Sequence, residues 1–274
     1  MSHPYLQTMS ASEIVANALR VYRDHFRLLM LVALLPHLVL LGLELLVLLP
    51  GPEPSPQAFL FVLFATMIMN GIALAAITVA IGRALLGPEP GLAEVYGQTL
   101  RSNLFAVIVA YLITAVLVSA GLMVLVVPGV LLGALFAPCV PIIVVERQTA
   151  LAGLSRSVAM MREHWLKGTV VFSYFMLVAG FLPLIFLLVQ GNMGMGPFTP
   201  LLSAIIGAIT LPLGFTANVL LYFSMRATSS EAVAMPVRPM LRRRLRPASR
   251  PGTPNSRSSS GLKPRLASHS AAGL

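Results

Sequence analysis

What most limits the fold of this 274-residue chain is a succession of apolar runs with almost no charge, each close to the length of a bilayer crossing. A helix needs about 20 apolar residues to cover a hydrocarbon core about 30 Å thick. Six segments reach or approach that length: 27–50, 57–82, 104–127, 129–145, 168–190 and 199–225, the fourth being the shortest. No alternating strands of about 10 residues appear, so helices are the spanning form. Only 10% of residues are charged, where soluble domains carry about 25%. The mean hydropathy is +0.86. An ordinary water-soluble enzyme, a disordered chain and a disulfide scaffold are excluded. The predicted fold is an all-α integral membrane bundle of six transmembrane helices.

The basic residues set the orientation. Arg20 and Arg23 precede the first run and Arg27 begins it. Arg83 and Arg101 lie between the second and third, and Arg147, Arg156, Arg162 and Lys167 between the fourth and fifth. The remainder begin at Arg226. The other three connections (GPEPSP, the turn at Pro128-Gly129, and GNMGMGPF) carry no Lys or Arg. All 19 bases therefore fall on one side of a six-span arrangement, and both termini are placed in the cytoplasm. The first run is too long for a signal-peptide core of about 7–15 residues and is read as a retained span.

Three connections share a pattern. SEIVANALRVYRDHF at 12–26, GLAEVYGQTLRSNLF at 91–105 and LAGLSRSVAMMREHW at 151–165 are amphipathic, and each leads into an odd-numbered span. Arg23-Asp24-His25-Phe26 matches Arg162-Glu163-His164-Trp165 in type and position, and Arg101-Ser102-Asn103-Leu104 is a weaker third copy. The predicted unit is a cytoplasmic interfacial helix followed by a transmembrane hairpin, used three times. The chain divides into a cytoplasmic amphipathic segment (1–26), a membrane domain (27–226) and a tail (227–274). The tail holds nine Lys/Arg and one acid, and is rich in Pro and Ser. Such a composition buries too little apolar surface to fold, so the tail is expected to be disordered. Its Arg238, Arg242, Arg243, Arg244, Arg246 and Arg250 suit an anionic leaflet, at about 1 kcal/mol each. No domain behind them points to nucleic acid.

The inventory argues against catalysis. Asp24 is the single aspartate, the eight glutamates are scattered, and no P-loop, HExxH, GxSxG or CxxC motif occurs. No cofactor or metal site is expected. Met67/Met69 and Met193/Met195 are thioether pairs but have no Cys or His beside them in sequence. Cys139, the one cysteine, is expected to be buried and inert.

Three polar residues fall inside the first two spans. His37 and Glu44 are seven residues apart on one helix face. Asn70 sits at the depth of His37 if the two spans form a hairpin. An intramembrane acid suggests a pathway or proton relay, whereas Glu44 near the outer end can also snorkel to the interface. The His37/Glu44/Asn70 patch reads either as a polar pathway or as interhelix glue contributing about 1 kcal/mol, and glue is favoured. Gly129, Gly133 and Ala137 form a small-residue stripe on the fourth span, and Pro138 and Pro141 are expected to kink it. Glu146 is expected to pair with Arg156 or Arg162 and lock the following surface helix to the bundle.

Pro128-Gly129, Pro141, Glu146 and GLSRSVAMMREHW at 153–165 together resemble the glycerophosphodiester phosphodiesterase membrane-domain family, and EIVANALRVYRDHF resembles that family's opening helix. The resemblance spans about residues 12–226. Val158 follows Ser157 where the family often has Trp. The chain lacks the room and the acids for the family's soluble phosphodiesterase domain. The resemblance implies a stand-alone six-span module of the bacterial inner membrane, without phosphodiesterase chemistry. The expected function is non-enzymatic: organising or handling lipid, or assisting a membrane protein partner. Arg23, Arg101, Arg162, Arg242, Arg243 and Arg244 would contact anionic phospholipid headgroups. The alternative is a small-solute or lipid transporter using the His37/Glu44/Asn70 patch.

Overall fold

The computed structural model describes residues 8–48, 55–85, 87–181, 185, 188 and 199–228. Every regular element among them is helical. In order these are α1 (Ala11–Asp24), α2 (Phe26–Leu48), α3 (Pro56–Ala84), α4 (Leu92–Arg101) and α5 (Leu104–Val124). Then come α6 (Val126–Phe136), α7 (Cys139–Glu146), α8 (Ala150–Arg162), α9 (Trp165–Phe175, continued as a π-helix over Met176–Phe181) and α10 (Thr199–Thr228). The all-α membrane bundle is thus observed. Five stretches are long and apolar enough to cross a bilayer: Phe26–Val47, Pro56–Ala84, Leu104–Val124, Val126–Glu146 and Ala204–Thr228.

The remaining predicted span, 168–190, begins at Trp165 but is seen as a shorter apolar helix, Trp165–Val178. The α-helical register is lost at Met176, where the coil widens. Pro183, a few residues on, has no N–H to give to a carbonyl four residues back, which disfavours an unbroken α-helix here. The rest of that segment lies outside the described residues.

The turn between the third and fourth spans also differs from expectation. It falls at Leu125, whose backbone is extended (φ −161°, ψ 146°), rather than at Pro128-Gly129. Pro128 lies inside the first turn of α6, where its missing N–H has no helical acceptor to lose. The fourth span therefore starts three residues earlier than expected, and Ala137–Pro138 break it into α6 and α7. Arg147 ends α7 in the left-handed conformation (φ 56°).

Short helices precede three of the spans. α1 leads into α2 through His25, α4 into α5 through Ser102-Asn103, and α8 into α9 through Glu163-His164. The side chains of Ser10 and Thr149 cap the first and third, Gly91 stands at the start of the second without a side-chain bond, and the last turn of each carries an arginine: Arg23, Arg101 and Arg162. The amphipathic helix and corner recur in the places expected from the sequence.

The buried centre belongs to two half-helices. In α3 every residue from Ala73 to Gly82 is buried, and in α10 every residue from Gly214 to Tyr222. Ala73, Ala75, Ala76, Ala80 and Ala217 keep these stretches slim. Lipid is as apolar as leucine, so close contact of small residues rather than water exclusion draws spans together. Aromatic rings of α9 seat in glycine gaps: Phe172 fills the place of a Cβ at Gly133 of α6, and Phe175 does so at Gly214 of α10. Phe172, Phe175 and Phe215 follow one another with ring centres 5.7 Å apart. Large apolar side chains such as Leu35, Phe59, Phe105 and Val170 face outward. In water they would be an aggregating surface, and in a bilayer they are the solvated one.

Candidate functional site

The chemistry-bearing residues gather at the end of the bundle that carries the arginines. α1 is anchored there by its own residues. Ser10 accepts from the Glu13 N–H, and the Glu13 carboxylate accepts from the Ser10 N–H at 2.7 Å, a reciprocal cap. That N–H, and then the Ser10 hydroxyl, hold the Glu13 carboxyl below its ordinary range. Ile14, Ala18 and Val21, spaced i, i+4, i+7, are buried. The helix is tied to α10 at both ends. The Met9 N–H donates to Ser224 Oγ at 3.0 Å, and Tyr22 donates to the Ile209 carbonyl at 2.8 Å. Burial raises the Tyr22 phenol above its ordinary range. α1 thus runs along the last span rather than lying free of the bundle.

At its C-terminal end α1 forms a groove of about 400 Å3 lined by Leu19, Arg20, Tyr22, Arg23 and Phe26. Tyr22 and Phe26 meet edge to face, ring centres 5.4 Å apart. Its lining combines the apolar and aromatic side chains of Leu19, Tyr22 and Phe26 with two arginines, Arg20 and Arg23. Sequence reasoning named Arg23 and missed Arg20, Tyr22 and Phe26. Part of the signal was in the spacing: Leu19 and Tyr22, and Arg20 and Arg23, are three residues apart on α1, whereas Phe26 joins them from across the His25 corner.

Three of the acids at this end are engaged within the protein. Glu89 pairs with His25, and Glu94 lies 3.4 Å from Arg83. Glu146 lies 2.6 Å from the Arg156 Nε, its side chain only 11% exposed. Tyr222 donates to the other Glu146 oxygen at 3.1 Å and accepts from Arg226 at 3.0 Å. The end of α7, the surface helix α8 and the end of α10 are therefore joined in one network. The sequence offered Glu146 either Arg156 or Arg162, and the structure pairs it with Arg156. Sequence reasoning missed Tyr222 and Arg226, whose i, i+4 spacing was the available sign.

The corner arginines are left over from this pairing. Arg101 and Arg162 are exposed and have no ion pair among the described residues. Arg23, with its side chain 82% exposed, has only a long 3.9 Å link to Asp24. Arg242, Arg243 and Arg244 lie outside the described residues.

The three intramembrane polar residues are separately placed. His37 is buried; its Nδ1 meets the Ala33 carbonyl at 2.8 Å, and its Nε2 faces Gly207 of α10. Glu44 and Asn70 are half-buried. No hydrogen bond joins any two of the three among the described residues. The histidine instead bonds within its own turn and uses the room a glycine leaves. Among the described residues no cluster of His, Cys, Asp or Glu is placed to hold a metal ion. Comparison with known proteins gave no match: no family model, no curated relative and no solved structure.

Proposed function

We propose that this chain is a non-enzymatic, six-span protein of the bacterial inner membrane that organises or handles lipid, binding anionic phospholipid headgroups at its three short-helix corners. Both termini then face the cytoplasm, as the placement of the bases argues. The stand-alone membrane module implied by the family resemblance fits this reading. The observation that carries it is the division of charge at the basic end. Glu89, Glu94 and Glu146 are taken up by His25, Arg83 and Arg156, while Arg101 and Arg162 are exposed without an ion pair among the described residues and Arg23 has only a 3.9 Å link to Asp24. An exposed cation beside an anionic leaflet contributes about 1 kcal/mol. The apolar groove beside Arg23 would add acyl contact at that corner.

The test is native mass spectrometry of the protein extracted with its surrounding bilayer. The wild type is expected to retain anionic phospholipid in fixed ratio, and the R23Q/R101Q/R162Q variant to lose most of it. Equal retention by the two, or no lipid preference at all, overturns the reading. Glu44→Gln is expected to leave lipid retention unchanged, whereas a transporter working through Glu44 would lose flux.

A further inference from the structure

The turn between α5 and α6 has features a water-exposed loop does not need. It is one residue long, Leu125, and the sequence across it reads Met123-Val124-Leu125-Val126-Val127. All five side chains point outward; Met123 is 89% exposed and Leu125 65%. No charged residue occurs anywhere from Leu104 to Val145. The two arms are fused at the turn. A Cβ on Gly121 would lie 2.8 Å from the Gly129 Cα, so no side chain separates them. The backbone is economical too. The Leu125 N–H donates to the Gly121 carbonyl at 3.0 Å, the Gly129 N–H to the Leu125 carbonyl at 3.3 Å, and Pro128 has no N–H to satisfy.

Its depth follows from a contact between neighbours. Gly71 of α3 abuts Tyr111 of α5, with 3.2 Å from a Cβ built there to the Tyr111 Cβ. From Tyr111 to Val124 α5 advances about 20 Å, and from Gly71 back to Pro56 α3 advances about 22 Å. The turn is therefore level with the first turns of α3, where Phe59, Leu60 and Phe61 also face outward. It continues the lipid-facing surface of the spans rather than projecting beyond it.

We infer that the α5–α6 turn ends inside the leaflet opposite the basic end, with the side chains of Met123–Val127 among acyl chains and the turn's remaining backbone groups at glycerol depth. The occupant of this surface is lipid. Carbonyls and N–H groups left by the helix ends then reach headgroups and interfacial water, which hydrocarbon alone would not supply.

The test uses the full chain with Cys139→Ala, which removes its own thiol. Leu125→Cys and, independently, Val127→Cys are compared with Ser55→Cys, the exposed N-cap of α3. A charged, membrane-impermeant maleimide is applied to opened membrane vesicles. A bimane label is then read for quenching by lipids brominated near the glycerol end of the chain and by aqueous iodide. Ser55→Cys is expected to label readily, and both turn cysteines at least tenfold more slowly, with their bimane quenched by brominated lipid and not by iodide. Labelling of the turn at the Ser55→Cys rate overturns the inference in favour of water. Slow labelling without quenching by brominated lipid overturns it in favour of a second copy or another protein covering the tip. Neither result bears on lipid retention at the arginine corners.

Discussion

Glu146 and Arg156 meet at 2.6 Å, so a carboxylate that ends one span grips a guanidinium on the surface helix that follows. Tyr222 and Arg226 extend this contact to the last span. Removing one member of a largely buried pair leaves the other charge without compensation. Arg156 keeps about a third of its side chain exposed, which moderates the cost. Glu146→Gln or Arg156→Met is expected to lower stability by about 1–3 kcal/mol, with the double variant falling short of the sum of the singles. Thermal unfolding in a fixed detergent checks this. Full additivity would mean that the pair does not join α7 to α8.

Glycines divide by what a methyl group would meet. At Gly133 it would enter the ring of Phe172, and at Gly42 it would meet nothing within 4 Å. Gly133→Ala is expected to displace Phe172 and destabilise by about 1–3 kcal/mol, as overpacking does. Gly42→Ala is expected to be neutral or to stabilise by up to about 1 kcal/mol, through helix propensity. Midpoints from the same unfolding series decide it. Equal losses at both positions would contradict the ring-in-gap packing.

The sequence disclosed most of the skeleton. Spans and the three Arg-ended short helices are visible because each depends on local composition and 3.6-residue spacing. What was hidden came from pairings between distant segments. The turn moved from Pro128-Gly129 to Leu125 because proline is at ease in a helix's first turn, so its presence alone does not locate the break. His37 found room at Gly207, 170 positions later, rather than a polar partner at Asn70. Arg20 was not singled out because the groove it lines forms where α1 meets α2 at the His25 corner, a bend that local composition does not disclose.

The reciprocal cap at the start of α1 makes its anchoring acid-sensitive. The folded state holds the Glu13 carboxyl below its unfolded value, so this stabilisation is complete above the ordinary carboxylate range, near about pH 4.3. It is lost as pH falls through the folded value. Amide exchange at Ile14–Val21 is expected to accelerate in acid more in the wild type than in Glu13→Gln, after correction for intrinsic exchange. Ser10→Ala is expected to cost about 1 kcal/mol at neutral pH. Parallel acid responses in wild type and Glu13→Gln would remove Glu13 as the cause.

His37 and Gly207 test how the first and last spans approach each other. A Cβ at residue 207 would sit 2.8 Å from the His37 Nε2, closer than the pair tolerates, so Gly207→Ala must move the ring or part the helices. Either outcome disturbs the bond from His37 to the Ala33 carbonyl and is expected to cost about 1–3 kcal/mol. Shortening the histidine should restore the space. His37→Ala is expected to destabilise on its own by leaving a gap, yet to make Gly207→Ala much less harmful when combined with it, a coupling of about 1 kcal/mol or more. A histidine serving as a polar pathway residue with Glu44 and Asn70 would give another pattern, because Gly207→Ala would then alter flux while leaving stability unchanged. Unfolding midpoints for the four members of this cycle separate the two. A packing role requires that the penalty at Gly207 depend on the side chain at His37.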